Sequence, residues 1–514
     1  MDASSIARPH EYALEAWGDE RPPQPGGRPS GSDGRSLAPR VAAVLLGCLA
    51  VAALSLLVVA PAPSYDPWSW LLWGREIAGG ELHTSEGPAF KPLPVAVCAA
   101  LSLLGPAAPL TWVLTARVGA VLAIWLAFRL GRRLSGGSTL AGGLAAVGVA
   151  LCGAYLPYAS GGLVSGWLLA LALGGAEAWR AGRPRLALVC ALGCALLQVE
   201  AWPFVAALGI VLWRRRPRDR PLLVCAALAV PALWLVPELL GSGDLLRSAT
   251  RARIPNAGQP ALADVPALAS LWEAVRLPLW PLWVGVAALA VTALGGRRAK
   301  GAARVPAVPL GSAAALGSAA VPGSVAALVP AAVGAAWIAI VAAMAQLGGF
   351  SGEPRYALPG MALVAVSGAV GLATAGRPPA RPLAGLALVA VLGLVAVTAA
   401  PRLDAVAGLP AAQAYQLELG NDLADAIDAA GGRDALLRCG QPYVGPLRGP
   451  LAAYRLDLPK HAVEPDLTPS APGVVLSSRL HRGAPRLPAT PPAFAAVVRT
   501  DRWRVLRACR VRMP

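Results

Sequence analysis

Long apolar stretches, separated by short polar and arginine-bearing interruptions, run from Val41 to Ala400. Most are about 18–22 residues long, enough to cross a hydrocarbon core of ~30 Å as a helix, the form in which an isolated segment satisfies its own backbone in lipid. The pattern predicts an α-helical polytopic membrane protein with about eleven transmembrane helices. They lie near 41–60, 108–129, 139–158, 162–178, 186–199, 202–213, 221–240, 279–296, 327–347, 356–375 and 383–400. Two places strain the pattern. Residues 186–213 must hold two short spans that turn near Glu200 and Pro203, and 301–326 is a Gly/Ala/Pro/Ser stretch that reads either as a loop or as a poor span. Pro94–Gly105 is apolar but, at about 12 residues, too short to cross, so it is placed as a helix in the outer interface.

The ends differ from the middle. Residues 1–40 are rich in Pro, Gly, Ser and mixed charge without apolar periodicity, which predicts a disordered cytoplasmic tail. Ala60-Pro61-Ala62 resembles a signal-peptidase site, but the leader and apolar run before it are too long for a usual signal peptide. Beyond residue 401 the long runs give way to short ones such as Gly473–Leu476 and Ala495–Val498, the pattern of a small extracytoplasmic α/β domain over 401–514. Gln413–Ala430 reads there as an amphipathic helix stopped by Gly431-Gly432. The domain division is thus a tail (1–40), a transmembrane part (41–400, first outer loop 61–107) and the C-terminal domain.

Charge adds an orientation. Only 14% of the 514 residues are charged, against roughly 25% in a soluble domain. The net charge of +17 sits in clusters between apolar runs, such as Arg129-Arg132-Arg133 and Arg214-Arg215-Arg216, rather than on one soluble face. These clusters are topology signals, not a nucleic-acid footprint. They place the N-terminus in the cytoplasm and the C-terminus outside a plasma membrane. Of eight cysteines, six lie in or beside apolar segments as small hydrophobes, and no zinc spacing appears. Cys439 and Cys509 fall in the outer segment, where disulfides persist, and are expected to pair; two separate buried thiols are the alternative.

Candidate chemistry gathers on the outer face. Directly after the first span comes Tyr65-Asp66-Pro67-Trp68-Ser69-Trp70, and Asp before Pro suits the N-cap of a helix over Pro67–Ala78. Trp68, Trp70 and Trp73 give that helix the composition of an interfacial aromatic belt. Lys91-Pro92-Leu93-Pro94 opens a second short helix, Glu200 stands almost alone in an apolar window, and Arg355-Tyr356 precedes a late span. His83 has no partner at ligand spacing and reads as a solvated loop residue.

An aspartate after the first span, a tryptophan-rich interfacial helix, a "KPLP" helix start and an outer "RY" together resemble the GT-C class of membrane glycosyltransferases, among them the protein O-mannosyltransferases and the aminoarabinose and arabinosyl transferases. The resemblance covers the first ~220 residues best. It implies that Asp66 is the catalytic base or acceptor-positioning acid. Several relatives carry a second acid after that aspartate; Pro67 stands there in this chain.

Chemistry fills in the remaining roles. Transfer from a polyprenyl-phosphate sugar needs a carboxylate to take the acceptor's proton and cations to neutralise the departing phosphate. Asp66 is the expected base, with Glu200 a second acid. Lys91, Arg355, Arg251, Arg253 and Arg117 are the donor-phosphate candidates, and Tyr65, Trp68 and Tyr356 are expected to line the substrate. Each basic residue has the plainer reading of a lipid-headgroup contact. The function expected is an inverting glycosyltransferase moving a sugar from a polyprenyl-phosphate donor to an envelope glycan, lipid or protein. A cofactor is not required, though a divalent cation on the donor phosphate is compatible with the reading. The alternatives are an inactive polyprenyl-lipid-binding or scaffold relative, and a secondary transporter, whose inverted repeats and matched broken spans are not seen.

Overall fold

Each predicted apolar segment holds a helix: Leu37–Ser55, Ala108–Leu134, Thr139–Ala150, Ser165–Arg180, Pro184–Leu197, Trp202–Arg215, Arg220–Ser242, Pro281–Lys300, Gly323–Gly348, Pro354–Ala375 and Arg381–Ala407. The structure is a computed structural model that describes residues 37–300, 323–375 and 381–509. The chain divides into two units, Met1–Gly47 and Cys48–Pro514. Among the described residues the first holds only the opening turns of the helix Leu37–Ser55. The tail expectation for 1–40 thus lies outside the described residues except at its last four positions, which are helical, and the stretch at 301–322 also lies outside them.

Five stretches are long and apolar enough to cross a membrane, namely Pro92–Leu134, Pro217–Ser242, Gly323–Gly348, Pro354–Thr374 and Val389–Ala429. Shorter apolar helices accompany them, which makes the chain a multi-pass membrane protein. Local chain breaks explain why some expected spans are short. The span foreseen over 139–158 stops at Ala150 because the chain turns through Gly153, at φ 54°, whose N–H donates to Leu277 O at 2.8 Å. A separate helix, Tyr155–Ser160, then follows.

Pro354–Thr374 is the centre of the bundle, with 94% of its apolar window buried. Glycines let its neighbours touch its backbone. A Cβ at Gly285 would strike Gly368 O, one at Gly371 would strike Gly285 O, and one at Gly334 would strike Gly360 O. Small residues at such crossings are how helices approach closely where lipid gives no hydrophobic drive between them.

Ahead of the bundle, the loop 61–107 carries the helices Tyr65–Ala78 and Pro92–Leu101, which meet where Gly74 lies against the Cys98 backbone. The C-terminal part opens with the helix Leu409–Ala429, ended by Gly431 at φ 94°, the left-handed stop foreseen in the sequence. Its five-stranded sheet has β1 (Gln441–Tyr443), β2 (Gly473–Arg479), β3 (Arg486–Leu487), β4 (Ala495–Arg499) and β5 (Trp503–Ala508). The order is β1-β2-β5-β4 with β3 on β2, and β1 and β2 are parallel while the other pairings are antiparallel. Trp503 is fully buried and donates its indole N–H to Leu419 O at 2.7 Å, which fixes the sheet on the helix. Cys439 and Cys509 are joined by a disulfide.

This domain also grips the first loop. Arg75 donates to Tyr454 O at 3.0 Å, Trp68 packs on Tyr454 at 5.1 Å, and buried Lys460 pairs with Glu86 at 2.8 Å. Trp68, expected to line substrate, is therefore a packing residue between loop and domain.

Candidate active site

Four short local structures converge at the first loop. The first is the start of the helix Tyr65–Ala78. Its N-cap is Ser64, whose N–H is held by Gly161 O at 2.8 Å, so Asp66 falls in the first helical turn and not at the cap. The expected capping role is thus corrected: the Asp66 carboxylate reaches across to accept a hydrogen bond from Arg355 Nη1 at 3.0 Å. Arg355 is the second residue of the central helix, after Pro354, a position that suits Pro as an opener. Its Nε lies 2.8 Å from Glu353 Oε2, and its Nη2 donates to the Tyr356 hydroxyl at 3.3 Å.

Lys91 is the N-cap residue of Pro92–Leu101, with Pro92 at the first position. Glu200 sits in the single 3₁₀ turn Val199–Ala201 between Pro184–Leu197 and Trp202–Arg215, and it is buried. Gln198, one residue before that turn, is buried as well. Asp66, Trp70, Lys91, Gln198, Arg355 and Tyr356 together line a small cavity of about 20 Å³, space for about one water. The Trp70 indole N–H on its wall makes no hydrogen bond within the protein, while the Gln198 amide lies near enough to the Glu200 carboxyl to favour its charged form. Buried polar groups are normally bonded, so an unpaired N–H on a cavity wall suits a water or a ligand oxygen.

Electrostatics follow from this enclosure. Burial pushes the Glu200 carboxyl up, against the pull of its own backbone N–H and of Lys91. Burial and the Arg355 charge push the Lys91 ammonium down, while Glu200 and Asp66 oppose them. Burial, with Asp66 beside it, pushes the Tyr65 hydroxyl up to about 12. Asp66, Lys91 and Arg355 thus line one pocket with Glu200 close behind it, and acids and cations set each other's charge there, an arrangement that sets proton-transfer roles apart.

Other expected site residues lie elsewhere. Arg117 donates to Val59 O at 2.8 Å, Ala60 O at 3.0 Å and Ser55 Oγ at 3.0 Å, stapling the frayed end of the first helix. Arg117 does not line the cavity of Asp66 and Arg355. Arg251 donates to Ile254 O at 2.9 Å, and Arg253 is exposed over the Phe350 ring, so neither lines the cavity. His83 is half-buried instead of solvated: its N–H donates to Glu76 Oε2 at 2.8 Å, and its ring lies 5.3 Å from that of His461. Among the described residues no three His, Cys, Asp or Glu side chains can hold a metal ion, and Asp66 and Glu353 share one arginine.

One supporting network went unforeseen. Fully buried Glu238 takes a hydrogen bond from Ser248, whose hydroxyl accepts Phe90 N–H at 2.7 Å, one residue before Lys91. Arg247, 3.5 Å from Glu238, donates to Pro88 O at 2.7 Å and Gly87 O at 2.9 Å. The sequence signal was an acid inside the apolar run 221–240, the sort of costly residue that marks a partner.

Glu76 supplies a pH test of the loop. Burial pushes its carboxyl up to about 7, opposed by the His83 amide and Arg75. A folded-state value above the ordinary 4.5 means that stability is greatest below about 4.5, falls as pH rises toward 7, and is flat above. Glu76→Gln, which keeps an acceptor for His83, should melt later than the parent at pH 8, by roughly 2 kcal/mol, and about equally at pH 4.5. Parallel melting profiles for the two proteins across that range would contradict this.

No family model matches the sequence, and no curated protein matches it. Among solved structures the chain is similar to ArnT from Cupriavidus metallidurans in the apo state, at 15% identity and TM-score 0.48, covering 92% of this chain and 98% of that one. It is also similar to the same protein bound to undecaprenyl phosphate, at 14% identity and TM-score 0.44, covering 91% and 97%.

Proposed function

We propose that the chain is an inverting glycosyltransferase that uses a polyprenyl-phosphate sugar and acts at the outer face of the plasma membrane. The observation that carries the reading is the Asp66–Arg355 pair at 3.0 Å, at the start of the central helix, with Lys91 lining the same cavity and Glu200 close behind it. A carboxylate next to two cations is what a single displacement from a phosphate-bound sugar requires. The acceptor hydroxyl gives its proton to Asp66 as its oxygen bonds to the sugar's anomeric carbon. The bond from that carbon to the phosphate oxygen breaks, and the leaving phosphate takes the electron pair and meets Lys91 and Arg355.

The ion pair gives this scheme an order. While Arg355 holds Asp66, the carboxylate is neutralised and a poor base. An arriving donor phosphate competes for the guanidinium fork and frees Asp66. Glu200, whose carboxyl burial pushes up, is the second acid and contacts a sugar or acceptor oxygen.

Incubating the purified chain with a panel of polyprenyl-phosphate sugars tests the reading directly, because one donor should be consumed and free polyprenyl phosphate released. No release from any donor would favour the inactive lipid-binding alternative. Lys91→Ala and Arg355→Ala should each raise the donor KM by ~10–100-fold, with Lys91→Arg recovering in part because a fork replaces a point charge. Unchanged donor kinetics in both alanine variants would remove them from the site.

A further inference from the structure

A second cavity lies away from the site, between the helices Pro184–Leu197, Trp202–Arg215 and Arg220–Ser242. It is a groove of about 810 Å³, within the range of small-molecule sites. The three helices touch in two separate apolar clusters: Leu188, Leu212 and Leu223 form one, and Ala195, Val230 and Trp234 the other. Between the clusters small residues leave a gap. Gly209 lines it, and a Cβ there would meet nothing within 4 Å. An open-sided, almost wholly apolar groove of this size between membrane helices suits a hydrocarbon chain.

The groove is polar at one end only. Trp202 and Trp234 close the first end, and their indole N–H groups both donate to Ala195 O, at 3.2 Å and 3.0 Å, which leaves no donor there for a headgroup. Arg214 lines the other end. Around it the only buried acid, Asp219, already pairs with Arg185 at 2.7 Å and Arg216 at 3.5 Å. Among the described residues Arg214, Arg215 and Arg218 pair with no carboxylate. From Trp202 to Arg214 the helix rises ~18 Å, about one leaflet's share of a ~30 Å core.

We infer that this groove is a binding site for an anionic diacyl phospholipid, one acyl chain lying between the helices and the phosphate on Arg214. Basic pockets between transmembrane helices are suited to such headgroups. The groove's polarity also sets it apart from the proposed donor site, whose phosphate ligands lie beyond the closed end.

Native mass spectrometry and melting of the delipidated full-length protein with dioleoyl-phosphatidylglycerol or dioleoyl-phosphatidylcholine test this. Phosphatidylglycerol should remain bound and raise the melting temperature, with at least ~10-fold preference over phosphatidylcholine. Arg214→Gln should abolish the preference, and Gly209→Leu, which fills the groove, should lower binding of phosphatidylglycerol in a protein that still folds. Equal binding of the two lipids, or an unchanged preference in Arg214→Gln, would overturn the inference. So would displacement of phosphatidylglycerol by undecaprenyl phosphate, which would make the groove the donor's tail site. Catalytic inactivity alone would leave these lipid readouts intact, so the two proposals fail separately.

Discussion

Asp66→Asn should lower sugar transfer by ~10²–10⁴-fold, the usual loss on removing a general base, while expression and membrane insertion stay unchanged. The substitution is nearly isosteric, and an amide oxygen still accepts from Arg355, so the 3.0 Å contact that joins the first loop to the central helix has a replacement. Helix initiation is also safe, because Ser64 and not Asp66 occupies the cap. What is lost is the ability to take a proton. Donor KM should therefore hold or fall slightly, since Arg355 no longer has an anionic competitor, and the loss should appear in kcat. Near-normal turnover in this variant would reduce Asp66 to a structural partner of Arg355.

Cutting the Cys439–Cys509 bridge should have the second-largest effect, on stability. The bond closes a separation of 70 residues, and in the chain-entropy model a loop of that length is worth roughly 4 kcal/mol. It ties the chain just before β1 to the residue after β5, so it brackets the whole sheet. Cys439→Ser should leave the membrane helices intact while β2 to β5 become sensitive to trypsin, with cleavage at exposed Arg482, Arg499 and Arg504. Non-reduced peptide mapping of the parent should find the two cysteines joined. Equal tryptic resistance of parent and variant, or labelling of both thiols without prior reduction, would rule the bridge out.

Helix positions were the most legible part of the chain, because hydrophobic length is a local property and each apolar segment from 41 to 400 holds a helix. Break points were less so. Gly153 ends a span by bonding to Leu277, a partner more than a hundred residues away. The same distinction runs through the site. Asp66, Lys91, Glu200, Arg355 and Tyr356 were each singled out by residue type beside an apolar run, and the structure brings them together. Arginine, though, is ambiguous in sequence. Arg117 and Arg355 look alike as cations near span ends, and only folding reveals that one is held by carbonyls and the other by a carboxylate. In the Glu238–Ser248–Phe90 relay only the acid in its apolar run was legible; its partners were not, because Phe90 and Ser248 are 158 residues apart along the chain.

The glycine contacts around the central helix carry a consequence for motion. With backbone pressed on backbone at Gly285–Gly368, Gly285–Gly371 and Gly334–Gly360, this helix can neither roll nor slide without driving peptide groups into one another. Arg355, at its tip, is thereby mounted on a stator. Whatever opens the pocket to a bulky donor would then be the moving part, and the candidate is the first loop, held through the Arg75, Glu86 and Ser248 side chains and by two backbone hydrogen bonds, Ser64 N–H to Gly161 O and Thr84 N–H to Gly241 O. Substrate entry would then be a hinge of loop and C-terminal domain over a fixed cation, with the bundle as its bearing.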